Sequence, residues 1–329
     1  MLHHGGRLIE AANHYGIPLQ DWLDLSTGLN PEGWPVGQIP AEVFQRLPQE
    51  EDGLLQVAEN YYQARDLLAT SGSQSVIQLL PWLRESCRVG VPAIGYAEHA
   101  HAWQQAGHRL EWLTPWQIDE KLDQLDVLVV INPNNPAADY YSVKQLLDWH
   151  QRLQQRNGWL IIDEAFMDSR PENSLACHAH QAGLIVLRSL GKFFGLAGIR
   201  SGFVIAQVEL LDKIHQQLGP WAVSGPSRYI SQRALADTRW QQSNRQKLRQ
   251  QSTKLKQLLE QFIASKDPLA RIKGTDLFQT IFCENARQLH QSLAENSVFT
   301  RLLDNSQGVR FGLPEQTQWN RLQQVLMSL

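Results

Sequence analysis

The sequence predicts an α/β protein: a three-layer large domain on a mostly parallel sheet, followed by a smaller α+β C-terminal domain. Three observations carry this. Short, continuously apolar runs such as VLVVI at 127–131 alternate with amphipathic helical patterns through the middle of the chain, the mark of strands buried on both faces. Several of these runs stop on a polar residue or an Asn-Pro step, as strands do where a ligand crevice opens at their carboxyl ends. After Gly219-Pro220 the pattern changes to long helices and alternating strands.

In chain order, 75–83 reads as a helix, 87–91 as a strand stopped by Pro92, 99–106 as a helix and 109–113 as extended. The run 127–131 is a strand closed by Asn132-Pro133, and 143–155 is an amphipathic helix. Strands follow at 159–162, ending at Asp163, at 184–187, ending at Ser189, and at 203–206. Helices at 227–236 and 240–263 come next, the second with a Gln- and Lys-rich solvated face. A strand at 277–283, a helix at 288–295, a strand at 309–313 and a helix at 316–327 complete the chain. The expected division is an N-terminal arm at 1–40 joining the small domain and the active site, a large domain at 41–220 and a small domain at 221–329.

With 329 residues, 43% of them hydrophobic, the chain can bury a sizeable core. The net charge of −3 is spread without a basic block, which argues against a nucleic-acid partner. A small phosphorylated ligand needs only a few local arginines. Cys87, Cys177 and Cys283 are far apart and show no metal spacing, so reduced thiols, no metal and a cytoplasmic setting are expected. No secretory signal and no transmembrane run are expected either.

Three strand ends carry residues that need explaining. Ile131-Asn132-Pro133-Asn134-Asn135-Pro136 forces turn geometry after a buried strand; it is either a plain turn or a rigid mount for an Asn amide. Ile162-Asp163-Glu164 puts a carboxylate directly after an apolar run, where it serves as a helix cap or needs a charged partner. Ser189-Leu190-Gly191-Lys192, with Gly195, Gly198 and Arg200, is either a solvated loop or a phosphate-binding one. Taken together the three are far more specific. A pyridoxal-5′-phosphate (PLP) site needs a lysine for the imine, an acid for the pyridine nitrogen, a donor to the phenolate oxygen and a phosphate cup. Lys192, Asp163, Asn135 and the Ser189/Arg200 pair fill these roles in sheet order. Gly72, Ser73 and Gln74, at a helix start, complete the cup.

At this point the chain resembles the fold-type I PLP enzymes, the aspartate aminotransferase superfamily. NPNNP, IIDEAF and SLGKFFGLAGIR match that superfamily's landmarks in order, and the match runs from about residue 4 to the C-terminus. The large domain is therefore expected to be PLP-transferase-like. Within the superfamily the chain is similar to the cobalamin-biosynthetic threonine-phosphate decarboxylases, relatives of the histidinol-phosphate aminotransferases. The carrying features are His4-Gly5-Gly6, the segment Asp24-Leu25-Ser26-Thr27-Gly28-Leu29-Asn30-Pro31, Arg188-Ser189-Leu190-Gly191-Lys192-Phe193 and Val309-Arg310-Phe311-Gly312-Leu313-Pro314.

The resemblance implies decarboxylation of L-threonine O-3-phosphate to (R)-1-amino-2-propanol O-2-phosphate by a cytoplasmic homodimer. A transaminase acting on histidinol phosphate or a related amine is the alternative. It implies substrate contacts from His4, Gly5, Gly28 and Asn135, and anion binding by Arg310, with Arg301 a weaker second contact. Tyr96 or His99 is implied as the aromatic stacked on the cofactor ring. The chain also departs from its relatives. Leu47 stands where they often carry a Tyr that reaches the neighbouring subunit, Phe166 replaces a Tyr donor to the phenolate oxygen, and Gly28 replaces an Asn.

Overall fold

A computed structural model describes residues 5–264 and 266–329. The strands, in chain order, are β1 Leu23–Asp24, β2 Leu67–Thr70, β3 Arg88–Pro92, β4 Arg109–Leu113, β5 Val127–Ile131, β6 Trp159–Asp163, β7 Leu184–Ser189, β8 Gly202–Ile205, β9 Arg271–Thr275, β10 Phe278–Phe282, β11 Val298–Phe299, β12 Arg301–Leu302 and β13 Gly308–Gly312. They divide between two compact units. The large unit comprises Trp34–Asn135 and Asp139–Gln242, and the small unit the chain through Gly33 with Pro136–Ala138 and Ser243–Leu329.

The large unit carries a seven-stranded sheet in the order β2-β8-β7-β6-β5-β3-β4. The pairs β4/β3, β3/β5, β5/β6 and β6/β7 are parallel, and β8 runs antiparallel to both β7 and β2. This is the mostly parallel sheet the apolar runs predict. All five residues of β5 are buried. Val127 and Val129 join Ile161, Ile185 and Leu187 in one core with the helices Ser73–Leu79, Glu98–Gln105 and Val208–Leu218. Strand alternation turns Leu128 and Val130 the other way, and they too are buried. The helix Val143–Gln154 is capped by Ser142, whose hydroxyl accepts from the Gln145 N–H, and it buries Leu146, Trp149, His150 and Leu153 at helical spacing. Burying one such apolar side chain contributes roughly 1.5–3 kcal/mol.

The small unit holds a four-stranded antiparallel sheet, β12-β13-β10-β9, and the parallel pair β1/β11. The break between the units differs from the one expected at 220/221. It falls inside the helix Thr238–Ala264, at Gln242/Ser243. The helix Gly225–Ala236 belongs with the large unit because Arg228 forks onto Asp52, with Nε–Oδ2 and Nη2–Oδ1 both at 2.7 Å. Likewise the N-terminal segment grouped with the small unit stops at Gly33, short of the expected residue 40.

Candidate active site

Register brings the polar strand ends of the large unit together. Ile131 pairs with Asp163 across β5/β6, and Asp163 with Leu187 across β6/β7. Ser189 and Thr70 both pair with Gly202, so the turn after β2 arrives beside the end of β7. The result is a cleft of about 600 Å³ including its open mouth, lined by Ser73, Gln74, Tyr96, Asn135, Asp163, Phe166, Ser189, Lys192 and Arg200 among others. Gly72 borders it: a Cβ built there would lie 2.9 Å from Arg200 Nη2, and φ is +73°. The nine residues read from the sequence as a cofactor site therefore gather at one place.

Asp163 is buried and doubly held. Its Oδ1 accepts from the Ala165 N–H at 3.0 Å, and its Oδ2 lies 3.0 Å from His99 Nε2. An ionised carboxylate only accepts, so Nε2 carries the hydrogen. The remaining lone pairs of Asp163 are available to the cleft. Of the two aromatic candidates, Tyr96 lines the cleft, whereas His99 is buried and serves Asp163 instead. The two rings meet edge to face at 6.2 Å. The Tyr96 hydroxyl donates to Gln74 Oε1, and Gln74 Nε2 donates to Glu98 Oε2, both at 2.9 Å. The Gln74 amide is thus occupied, and what it offers a phosphate is its backbone N–H. Phe166 is buried with its ring 5.5 Å from Lys192 Nζ. Ser189 Oγ accepts from the Gly191 N–H at 3.2 Å and keeps its own hydrogen to give.

These residues fit PLP on three counts. The glycine at 72 leaves a cradle under Arg200 that a Cβ would fill. A buried, oriented carboxylate faces the cleft from one strand end, and an amine from the next loop. Ser189, Arg200 and the N–H groups after Gly72 converge on one side as anion donors.

The small unit contains a second cavity, of about 1150 Å³ including its open mouth, lined by Gly5, Ser26, His290, Thr300 and Arg301 among others. Arg301 and Arg310 are directly opposed across β12/β13, and both are buried. Arg310 donates to the Ser26 carbonyl. Burial and then the Arg301 charge push its pKa well below the ordinary value, against a pull from Asp24. A Cβ on Gly5 would clash with the Ser26 carbonyl at 2.2 Å. Gly28 is buried but does not line this cavity, and His4 lies outside the described residues. Among the described residues no group of three or more His, Cys, Asp and Glu is placed to hold a metal, and no helix is long and apolar enough to cross a membrane. Cys87, Cys177 and Cys283 are unpaired with one another, and Cys177 is exposed.

Sequence reasoning missed the partners behind the site. Besides His99 and Glu98, a buried ion cluster lies beside the strand ends, with Arg188 bonded to Glu164 and Asp168. Only the adjacency of Glu164 to Asp163 and of Arg188 to Ser189 hinted at it.

A mostly parallel sheet with a lysine, a carboxylate and an anion cup at its strand ends defines a pyridoxal-phosphate-dependent enzyme. Residues 54–310 match the model of the aminotransferase class I and II family, and the chain belongs to that family. It is 46% identical over 328 residues to a threonine-phosphate decarboxylase of Pseudomonas aeruginosa, covering 99% of this chain and 98% of that one. It is 37% identical over 307 residues to one of a Sinorhizobium species, covering 92% and 90%. The fold matches a histidinol-phosphate aminotransferase of Sinorhizobium meliloti solved with pyridoxal-5′-phosphate, with a TM-score of 0.75 at 16% identity over 100% of this chain and 99% of that one.

Proposed function

We propose that this enzyme decarboxylates L-threonine O-3-phosphate to (R)-1-amino-2-propanol O-2-phosphate, the step cobalamin side-chain synthesis requires. The observation that carries the reading is the opposed, buried pair Arg301 and Arg310. Two guanidiniums held side by side offer planar forks that suit carboxylate and phosphate oxygens, and this substrate brings both a phosphate and a carboxylate. The 46% identical relative, itself named for threonine phosphate, supports the same reading.

Bound PLP supplies the electron sink for the bond broken at Cα. The chain's own residues do the rest. Asp163, oriented by His99, would accept the ring N–H and keep it protonated. Ser189, Arg200 and the N–H groups after Gly72 would bind the cofactor phosphate, Asn135 would donate to the phenolate oxygen, and Tyr96 would cover the ring. Lys192 Nζ would hold the cofactor covalently between turnovers. Its amino group would hold and move the proton that Cα takes up in place of CO₂. Arg310 and Arg301 hold the substrate anions and so choose which Cα bond breaks, a difference in transition-state binding. By the same reading His4 and Gly5 would complete the substrate contacts, and Gly28, which does not line the cavity of Gly5 and Arg301, would offer only its backbone.

The working form is a cytoplasmic homodimer. Phe44, Leu47 and Trp221 are exposed on the large unit, 63%, 65% and 55% respectively, apolar surface that a second copy would cover. Sedimentation of the purified protein tests this.

Wild-type enzyme with threonine phosphate should release CO₂ without needing a 2-oxo acid. Transamination products alone would overturn the reading. Lys192→Ala should lose the near-visible absorbance of the covalently held cofactor and turnover by about 10³-fold or more.

A further inference from the structure

We infer that Arg188 is a positioning residue, whose ion pairs with Glu164 and Asp168 set the spacing of Asp163 on one strand end against Ser189 and Lys192 on the next. The inference rests on the reading that those three residues hold the cofactor.

Successive side chains near a strand end point to opposite faces. Asp163 closes β6 and Glu164 follows it; Arg188 and Ser189 are the last two residues of β7. Asp163 and Ser189 line the cleft, whereas Glu164 and Arg188 do not. Behind the cleft, Arg188 Nη1 lies 2.6 Å from Glu164 Oε2, and Nη2 lies 2.5 Å from Asp168 Oδ1, with all three side chains at most 1% exposed. The Glu164 N–H also continues the ladder to Leu187 O at 2.9 Å. The guanidinium thus links the two strand ends that present the cofactor ligands.

The same fork reaches the far side of the Lys192 loop. The Tyr61 hydroxyl donates to Asp168 Oδ1 at 3.0 Å, and the Tyr61 ring packs on Phe194 at 5.7 Å. Phe194, two residues beyond Lys192, is fully buried and stacks on Trp240 at 5.6 Å. The loop is therefore tied at its start by the chain itself and at its end through Asp168, Tyr61 and Phe194.

Burial holds the Glu164 carboxyl above its ordinary value, against the opposing pull of Arg188, Ser174 and the Leu175 N–H. Three donors converge on it: the Arg188 guanidinium, the Ser174 hydroxyl and the Leu175 N–H. Arg188 is charged: burial lowers its pKa, but Asp168 and Glu164 outweigh that and hold it above the ordinary value. A buried planar fork is directional, and no water replaces a lost arm. A change here should therefore displace the strand ends themselves.

The test uses Glu164→Gln, Arg188→Lys and Tyr61→Phe, each checked for folding by circular dichroism. Two quantities are measured: the Kd for PLP added to the cofactor-free protein, followed by tryptophan fluorescence, and the pH midpoint of the colour change of the PLP-bound protein. Glu164→Gln should weaken PLP binding about tenfold and move the midpoint by about half a pH unit. Arg188→Lys, which keeps charge without the fork, should fall between it and wild type. Tyr61→Phe removes one hydroxyl and should weaken binding about threefold. Wild-type Kd and midpoint in the folded variants overturn the inference. If Glu164→Gln and Arg188→Lys do not fold, Tyr61→Phe decides alone. A Lys192→Ala protein that keeps the colour would instead sink the cofactor reading. A wild-type-like Tyr61→Phe beside a colourless Lys192→Ala sinks only the role given to Arg188.

Discussion

The Asp163 carboxylate and the His99 imidazole are joined Oδ2 to Nε2 at 3.0 Å, with both side chains at most 5% exposed. A bond of this kind in a low-dielectric interior fixes the rotamer of the acid. His99→Leu leaves Asp163 with the Ala165 N–H but removes the imidazole. We expect kcat to fall about tenfold and PLP binding to weaken, and Asp163→Asn to cost about 10²-fold or more. Steady-state rates and cofactor titration check this. Wild-type values in His99→Leu would show that the bond is incidental.

Arg301 and Arg310 repel each other where they are most useful. Arg301→Met should leave the ligand-free protein as stable as wild type or more so, by on the order of 1 kcal/mol, because a like charge has left a buried pair. The same change should raise KM for threonine phosphate about 10²-fold. Inorganic phosphate should raise the melting temperature of wild type and not of the variant, as scanning calorimetry would show. A destabilised variant with normal KM would contradict both halves.

Gly202 lies on β8 beneath the turn that starts the phosphate cup. An added Cβ would meet Arg188 O at 2.5 Å and both Gly72 C and Ser73 N at 3.0 Å, all of them backbone atoms. Gly202→Ala should therefore cost about 1–3 kcal/mol of stability and weaken PLP binding by moving the cup. Denaturant unfolding and cofactor titration read the two effects.

Stability should fall on acidification. Burial lowers the pKa of His150, partly offset by its bond to the Ala182 carbonyl, and burial lowers that of His290. Below the ordinary histidine pKa the unfolded chain takes up protons that the folded chain refuses, so the native state loses stability as pH drops through about 6.5. The slope contributed is at most about 1.4 kcal/mol per pH unit for each residue. His150→Gln should flatten the dependence of melting temperature on pH between about 7 and 5. An unchanged slope would mean another group governs it.

Much of the large unit was legible because buried parallel strands write themselves as apolar runs. Val127–Ile131 and Arg109–Leu113 stand where they were expected, and the strands ending at Asp163 and Ser189 run one or two residues longer. The short strand Leu67–Thr70 and the helices Leu54–Tyr62 and Val208–Leu218 were not read. Four residues carry too little periodicity, and the helices lack strong caps.

The sequence by itself determined the chemistry: a lysine, an acid and an asparagine at successive strand ends, with serine and arginine beside them. Residue type and spacing suffice for that, because an imine, a ring nitrogen and a phosphate each demand particular groups. Only the tertiary structure decided the supports: His99 on Asp163, Arg188 between Glu164 and Asp168, and Arg301 facing Arg310. These contacts join residues 64, 24, 20 and 9 positions apart, and strand register sets them. Register follows from how whole strands pack, and no local pattern records it.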